Sequence, residues 1–165
     1  MIDIKWTKWK RLDKLVTKVG EMDNQFTSYG YFAEQGVHPE SNGLTYAALM
    51  YIHEFREDDI PARPVFQTAL RTNKQSFIDF NTKSIKTYID SAAIGRGKSI
   101  RSLLDVIAQN GIRITKPVFG DSTLLAPNSL GVIKSKGRNS PMVDMGILKE
   151  SIAFKTSLRK KAKVM

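Results

Sequence analysis

At 165 residues and 41% hydrophobic content, the chain is long enough for one domain with a modest core. It has no cysteine, which excludes disulfides and thiolate metal sites, and its two histidines, His38 and His53, leave little for a zinc site. The net charge of +10 is segregated along the chain: residues 1–20 hold six basic and two acidic groups (+4), 21–62 one and eight (−7), 63–120 ten and three (+7), and 121–165 nine and three (+6). A basic excess fits a neighbouring nucleic acid. Sign segregation also fits one copy's acidic face meeting another copy's basic face, and ordinary solvated surface charge fits as well.

Residues 3–19 read as an amphipathic helix. Ile4, Trp9, Leu12, Leu15, Val16 and Val19 fall near a 3.6-residue period, with Asp3 as cap and Gly20 as stop. Such a helix covers a sheet or lies on a membrane surface, and Asp3 and Asp13 disfavour the second. The aromatic-rich stretch 26–37 predicts a short strand at 29–34, followed by a Pro- and Gly-containing loop at 38–43. A helix over 45–56 follows, with Thr45 near its start and Leu49, Ile52, His53 and Arg56 on one face.

Ile60-Pro61-Ala62-Arg63-Pro64 is a rigid connector, because each proline fixes its own φ and extends the residue before it. Pro64 opens a helix over 64–91. At roughly 42 Å such a helix is longer than a small domain is wide, so a bend or break near Thr72-Asn73 is expected. Gly95-Arg96-Gly97 reads as a turn, and 98–110 as a helix stopped by Gly111. Residues 112–119 suit a short strand or a helix resumed after a break, and 130–138 alternates weakly before a loop at 137–141. A helical turn and then a strand fill 147–157, and the basic tail from Arg159 to Lys163 is expected to fray.

No stretch reaches the roughly 18 apolar residues of a membrane span. Met1-Ile2-Asp3-Ile4-Lys5-Trp6 lacks the apolar region of a secretion signal, so synthesis in the cytoplasm is expected. Ala92-Ala93-Ile94-Gly95-Arg96-Gly97-Lys98-Ser99 fits a loose phosphate-loop pattern, but a helix precedes it where a strand is needed. His53-Glu54 lacks the second histidine of a zincin helix, so His53 reads as a satisfied, half-buried group. Trp6 and Trp9, three apart, read as packing groups. No nucleophile elbow is present. No catalytic residue, metal site or cofactor is expected.

Two segments carry a resemblance. Ile52-His53-Glu54-Phe55 followed by Ile60-Pro61-Ala62-Arg63-Pro64-Val65-Phe66, and Pro141-Met142-Val143-Asp144-Met145-Gly146-Ile147-Leu148-Lys149-Glu150-Ser151-Ile152, resemble the "I-P-A-R-P-F" and "P-L-V-D-T-G-x-L-x-x-S-I" motifs of a phage family. This is the neck, tail-completion or "virion morphogenesis" (tail-component) family of long-tailed phages, and the likeness extends over residues 28–157. Met145 departs from the family's Thr, and Glu57-Asp58-Asp59 stand where members often have a Gly-rich turn.

The resemblance implies a small α+β protein: a small antiparallel sheet packed against the N-terminal helix and two to three further helices, one of them long. A single domain over 1–158 would precede a basic tail at 159–165. It also implies a non-enzymatic virion protein that forms a ring, commonly hexameric, at the head–tail junction, with portal or connector and tail-tube proteins as neighbours. Its location would be the virion's neck or proximal tail. Glu54, Asp58, Asp59, Pro61, Arg63, Pro64, Asp144 and Gly146 are the candidates for bracing or subunit contact. Arg63 between its prolines is positioned to fork onto a carboxylate in the same or the next subunit. Asp144 is a candidate cap for the helix at Ile147, and Gly146 can take a backbone angle that other residues avoid. Arg71, Lys74, Lys134, Lys136, Arg138, Lys160 and Lys161 are candidates to line a DNA channel through sequence-independent phosphate contact. A stand-alone basic nucleic-acid-binding protein is the alternative.

Overall fold

A computed structural model describes residues 4–22, 25–55, 61–143 and 146–158, with residues 4–11 described by backbone alone. In chain order the elements are α1 (Ile4–Met22), β1 (Gln25–Gly30), α2 (Tyr46–Phe55), α3 (Val65–Thr72), α4 (Lys74–Ala93), α5 (Ile100–Thr115), α6 (Leu130–Lys136), α7 (Ile147–Glu150) and β2 (Ala153–Leu158). Single 3-10 turns occupy Ala33–Gln35 and Lys116–Val118. The fold is α+β, with helices around one antiparallel pair, β1 and β2. Among the described residues no helix is long and apolar enough to cross a membrane.

Tertiary contacts gather into two compact units, and each has its own core. The first comprises Met1–Ser28, Ile78–Asn110 and Phe154–Met165. Its core is Tyr88, Ile100 and Leu103, with Met22, Ile85, Ile89, Leu104 and Ile107 packed against them. The strands meet here: the Thr27 hydroxyl donates to the Lys155 carbonyl (3.2 Å), and the Thr156 hydroxyl donates to the Asp105 carboxylate (2.8 Å). Gly20 does not stop α1. The helix runs on to Met22, and Lys18 pairs with Glu21 across that position at 3.0 Å. The apolar stripe of α1 is only partly covered, because Leu12, Val16 and Val19 remain 48%, 63% and 45% exposed. The side chains of Trp6 and Trp9 lie outside the described residues.

The turn at Gly95 ends α4 by a hydrogen-bond pattern specific to helix termini. Gly95 takes φ 75°, its N–H reaches the Ala92 carbonyl (3.0 Å), and the Arg96 N–H reaches the Ser91 carbonyl (2.9 Å). Ser99 then caps α5 by accepting the Ser102 N–H. The loose phosphate-loop residues are therefore a helix–turn–helix corner, without the preceding strand that phosphate cradling requires.

The second unit comprises Tyr29–Phe77 and Gly111–Ala153. Met50, Val65, Ala69, Val118, Phe119, Leu125, Leu148 and Ile152 form its core. An aromatic group lies over it. Tyr31 stacks on Tyr46 with ring centres 6.2 Å apart, Phe66 touches both Tyr29 and Tyr31, and the Tyr31 hydroxyl donates to the Leu148 carbonyl. Burial raises the Tyr31 phenol above its ordinary range. The strand expected at 29–34 lies earlier, at Gln25–Gly30. Past Gly30 the backbone turns because Gln35 accepts the Phe32 N–H (2.7 Å) and donates to the Ser151 carbonyl (2.6 Å).

The long helix breaks where its length requires. The Asn73 N–H and side-chain amide both return to the Ala69 carbonyl (3.0 Å each), which closes α3 and starts α4. The weakly alternating stretch forms a helix over Leu130–Lys136: Ser129 accepts the Val132 N–H, and Gly137 ends α6 at φ 67°. α5 continues through Ile112 to Thr115 without a break and passes into the 3-10 turn at Lys116–Val118.

Gly111 is not a stop either. A Cβ there would fall 2.4 Å from the Tyr29 ring, so the glycine admits a close-packed aromatic inside a helix. Two effects oppose each other in Gly111→Ala. Helix propensity gains about 1 kcal/mol, while overpacking typically costs about 1–3 kcal/mol. A net loss is expected in equilibrium urea unfolding, and it should shrink in a Tyr29→Leu background. An unchanged midpoint in both backgrounds would show that the ring does not constrain this position.

Candidate functional site

The first sequence motif centres on one carboxylate. Pro64 occupies the cap position before α3 and has no side-chain acceptor, so the amide groups of the first turn need another partner. Glu54, at the end of α2 and only 7% exposed, supplies it. Its Oε2 accepts the Phe66 N–H (3.1 Å) and its Oε1 accepts the Gln67 N–H (2.9 Å). A negative group at a helix N-terminus also meets the positive end of the helix dipole. Between the two helices the Arg63 N–H donates to the His53 carbonyl (2.6 Å). Pro61 is exposed at the beginning of the described part of this linker.

The Arg63 side chain does not meet a carboxylate among the described residues. Its Nε donates to the Ala126 carbonyl (2.9 Å), and its Nη2 donates to the Pro127 carbonyl (3.1 Å) and to Asn128 Oδ1 (3.4 Å). The 126–128 loop lies outside regular structure, so its carbonyls lack ladder partners. A planar guanidinium satisfies two of them at once. Arg63 thus braces its own chain, and burial lowers its proton affinity.

In the second motif, Pro141 is fully buried and its carbonyl accepts the Gly120 N–H (2.8 Å). Met142 takes φ 63°, an uncommon angle for a residue with a side chain. Gly146 takes φ 80° at the cap of α7, the angle expected to require glycine. Asp144 lies outside the described residues, as do Asp58, Asp59, Lys160 and Lys161.

The two motifs meet at an open cavity of about 250 Å³, lined by His38, His53, Arg63 and Asn128 with Glu40 and Lys136 at its exposed rim. His38 is buried, and its Nδ1 accepts the Glu40 N–H (3.2 Å), which leaves Nε2 to carry the proton. His53 is half-buried, but contrary to expectation it is not satisfied: its Nδ1 is shut from solvent with no partner among the described residues. Burial, and next the Arg63 charge, lower its proton affinity. Asn128 Nδ2 is also buried and has no partner among the described residues. Asn128 and His38 were not singled out from the sequence as site residues.

The basic candidates lie on exposed positions. Arg71 and Lys74 flank Asn73, Lys134 and Lys136 are on α6, and Arg138 follows Gly137. Arg71 and Lys74 meet no carboxylate among the described residues. No group of three or more His, Asp or Glu side chains there is placed to hold a metal ion. No protein-family model, curated protein or solved structure matches the chain.

Removing the cap should cost more than replacing it. Glu54→Ala leaves two N–H groups of the first turn of α3 without their acceptor, and a loss of about 1–3 kcal/mol is expected in denaturant unfolding. Glu54→Gln, which keeps one acceptor oxygen, should lose less. Equal losses would mean that the amide groups find other partners.

His53 sets a pH dependence. Its folded value lies below the ordinary 6.5, so on acidification the unfolded chain binds a proton first. Its contribution to stability is full above about pH 6.5 and declines as pH falls from there toward the folded value. The urea midpoint should drop more in the wild type than in His53→Gln between about pH 7.5 and about pH 5.5. Parallel drops would remove His53 as the cause.

Proposed function

We propose that the chain is a structural virion protein of a tailed phage, assembling into a ring at the head–tail junction around the DNA path. The observation that carries this reading is a pair of uncovered apolar faces. Leu12, Val16 and Val19 line one side of α1, while Tyr51 and Phe55 on α2, with rings 5.0 Å apart, are 58% and 60% exposed. Contiguous exposed apolar groups mark interaction surfaces. The α1 face lies in a +4 segment and the α2 face in a −7 segment, so head-to-tail contact between copies brings opposite charges together.

The motif residues support the same reading from inside the chain. Glu54, Arg63 and Gly146 hold a shape and leave the surfaces to make contacts. A subset of the exposed basic residues, with Arg71, Lys74, Lys134, Lys136 and Arg138 as candidates, faces the lumen and meets phosphate without reading bases. The same exposed cations favour one second reading, a monomeric nucleic-acid-binding protein.

Solution mass and negative-stain images separate the two. A ring of several copies is expected for the wild type, or on mixing with portal or tail-tube proteins, and Val16→Asp or Tyr51→Asp should weaken assembly by about tenfold or more. Both positions are exposed, so the monomer should keep its melting temperature. A protein that stays monomeric under all these conditions and binds duplex DNA with steep salt dependence would replace the ring by the second reading.

A further inference from the structure

We propose that the cavity between the two sequence motifs is an oxyanion-binding site, taking a small carboxylate or phosphate group into contact with Arg63 and Asn128. Three observations converge. Arg63 is a half-buried cation whose recorded partners are carbonyl and amide oxygens, so its charge is not neutralised by any carboxylate among the described residues. Its Nη1 hydrogens have no acceptor there. Asn128 Nδ2, on the same wall, is buried with its hydrogens unused.

The remaining groups fit the same occupant. His38 Nε2 carries a proton, because Nδ1 is taken by the Glu40 N–H. His53 can present either ring nitrogen as a donor once neutral. Glu40 and Lys136 stand at the exposed rim with opposite charges, which leaves Arg63 to set the sign inside. Donors and a guanidinium that meet no anion among the described residues call for an acceptor-only, negatively charged group, and a cation is disfavoured by the same charge. The volume of about 250 Å³ is several times a water's share of about 30 Å³, enough for an acid with a short carbon body.

The site is independent of ring assembly and can be tested on the monomer. Succinate, inorganic phosphate and a hexaglutamate peptide would be titrated separately at constant ionic strength, with chloride as control. The readouts are the imidazole resonances of His38 and His53, the Asn128 side-chain amide and the melting temperature. Saturable shifts with succinate or phosphate would identify a free small anion; shifts with hexaglutamate alone would identify an acidic side chain carried on another protein.

Asn128→Asp places a carboxylate where Oδ1 already lies 3.4 Å from Arg63 Nη2. This variant should melt higher than wild type and lose at least about tenfold in anion affinity. Lys136→Gln, outside the brace, should weaken binding only about two- to fivefold. No saturable shift with any of the three probes, or Asn128→Asp binding like the wild type, would overturn the proposal. Binding that emerges only in Asp144→Asn would also overturn it, because the chain would then be supplying its own acid.

Discussion

Two amide groups at the head of α3 depend on a carboxylate from another helix. Proline at the cap position fixes the chain's direction but offers no acceptor, so the first turn of α3 is completed only when Glu54 arrives from the end of α2. That single link sets α2 against α3. Arg63 lies just before α3, and its own N–H is tied to His53. The guanidinium consequently reaches the 126–128 loop, and the cavity wall follows. Burial makes the link stringent: an acid this enclosed is tolerated only while both oxygens are occupied.

The parts of the fold that could be read in advance are those where local chemistry decides. The break at Asn73 and the glycine angle at Gly146 follow from reach, side-chain competition for the backbone and steric freedom, all of which act over a few residues. The misreadings concern glycine inside helices. Gly20 and Gly111 look like stops because glycine often terminates helices, but an ion pair spans the first and the ring of Tyr29, some eighty positions away in sequence, lies on the second. Pattern alone does not announce a distant aromatic. The alternation over 130–138 is a similar case, since weak period-two hydrophobicity gives way to a capped helix when Ser129 and Gly137 frame it.

The candidate site was legible in part. Arg63 stands out because it lies between two prolines, and Glu54 because it belongs to the same motif; both prove to be braces. What they brace against did not stand out: Asn128 and His38 sit in loops whose composition signals only a turn, and they gain meaning when the chain brings the loops together. The carboxylate expected for Arg63 gave way to carbonyls for a simple reason. A loop without ladder partners presents acceptors at the spacing a planar fork requires. The motif residues therefore define a shape; the cation left over at that shape is the motif's own Arg63, while the donors beside it belong to neighbours the motifs do not name.

The sheet joins distant parts of the chain, since Thr27 contacts Lys155 at a separation of 128 positions. Ribosomes add about 5–20 residues per second, so β1 waits roughly 6–25 s for its strand partner during synthesis. The core of the second unit also waits, because it includes Leu148 and Ile152. Over that interval the nascent chain presents an open strand edge and a bare apolar helix face, the features most prone to pairing with the wrong molecule. The order of synthesis, more than final stability, sets when this protein is most exposed to misassembly, and a chaperone that shields the emerging N-terminal helix would act during that window.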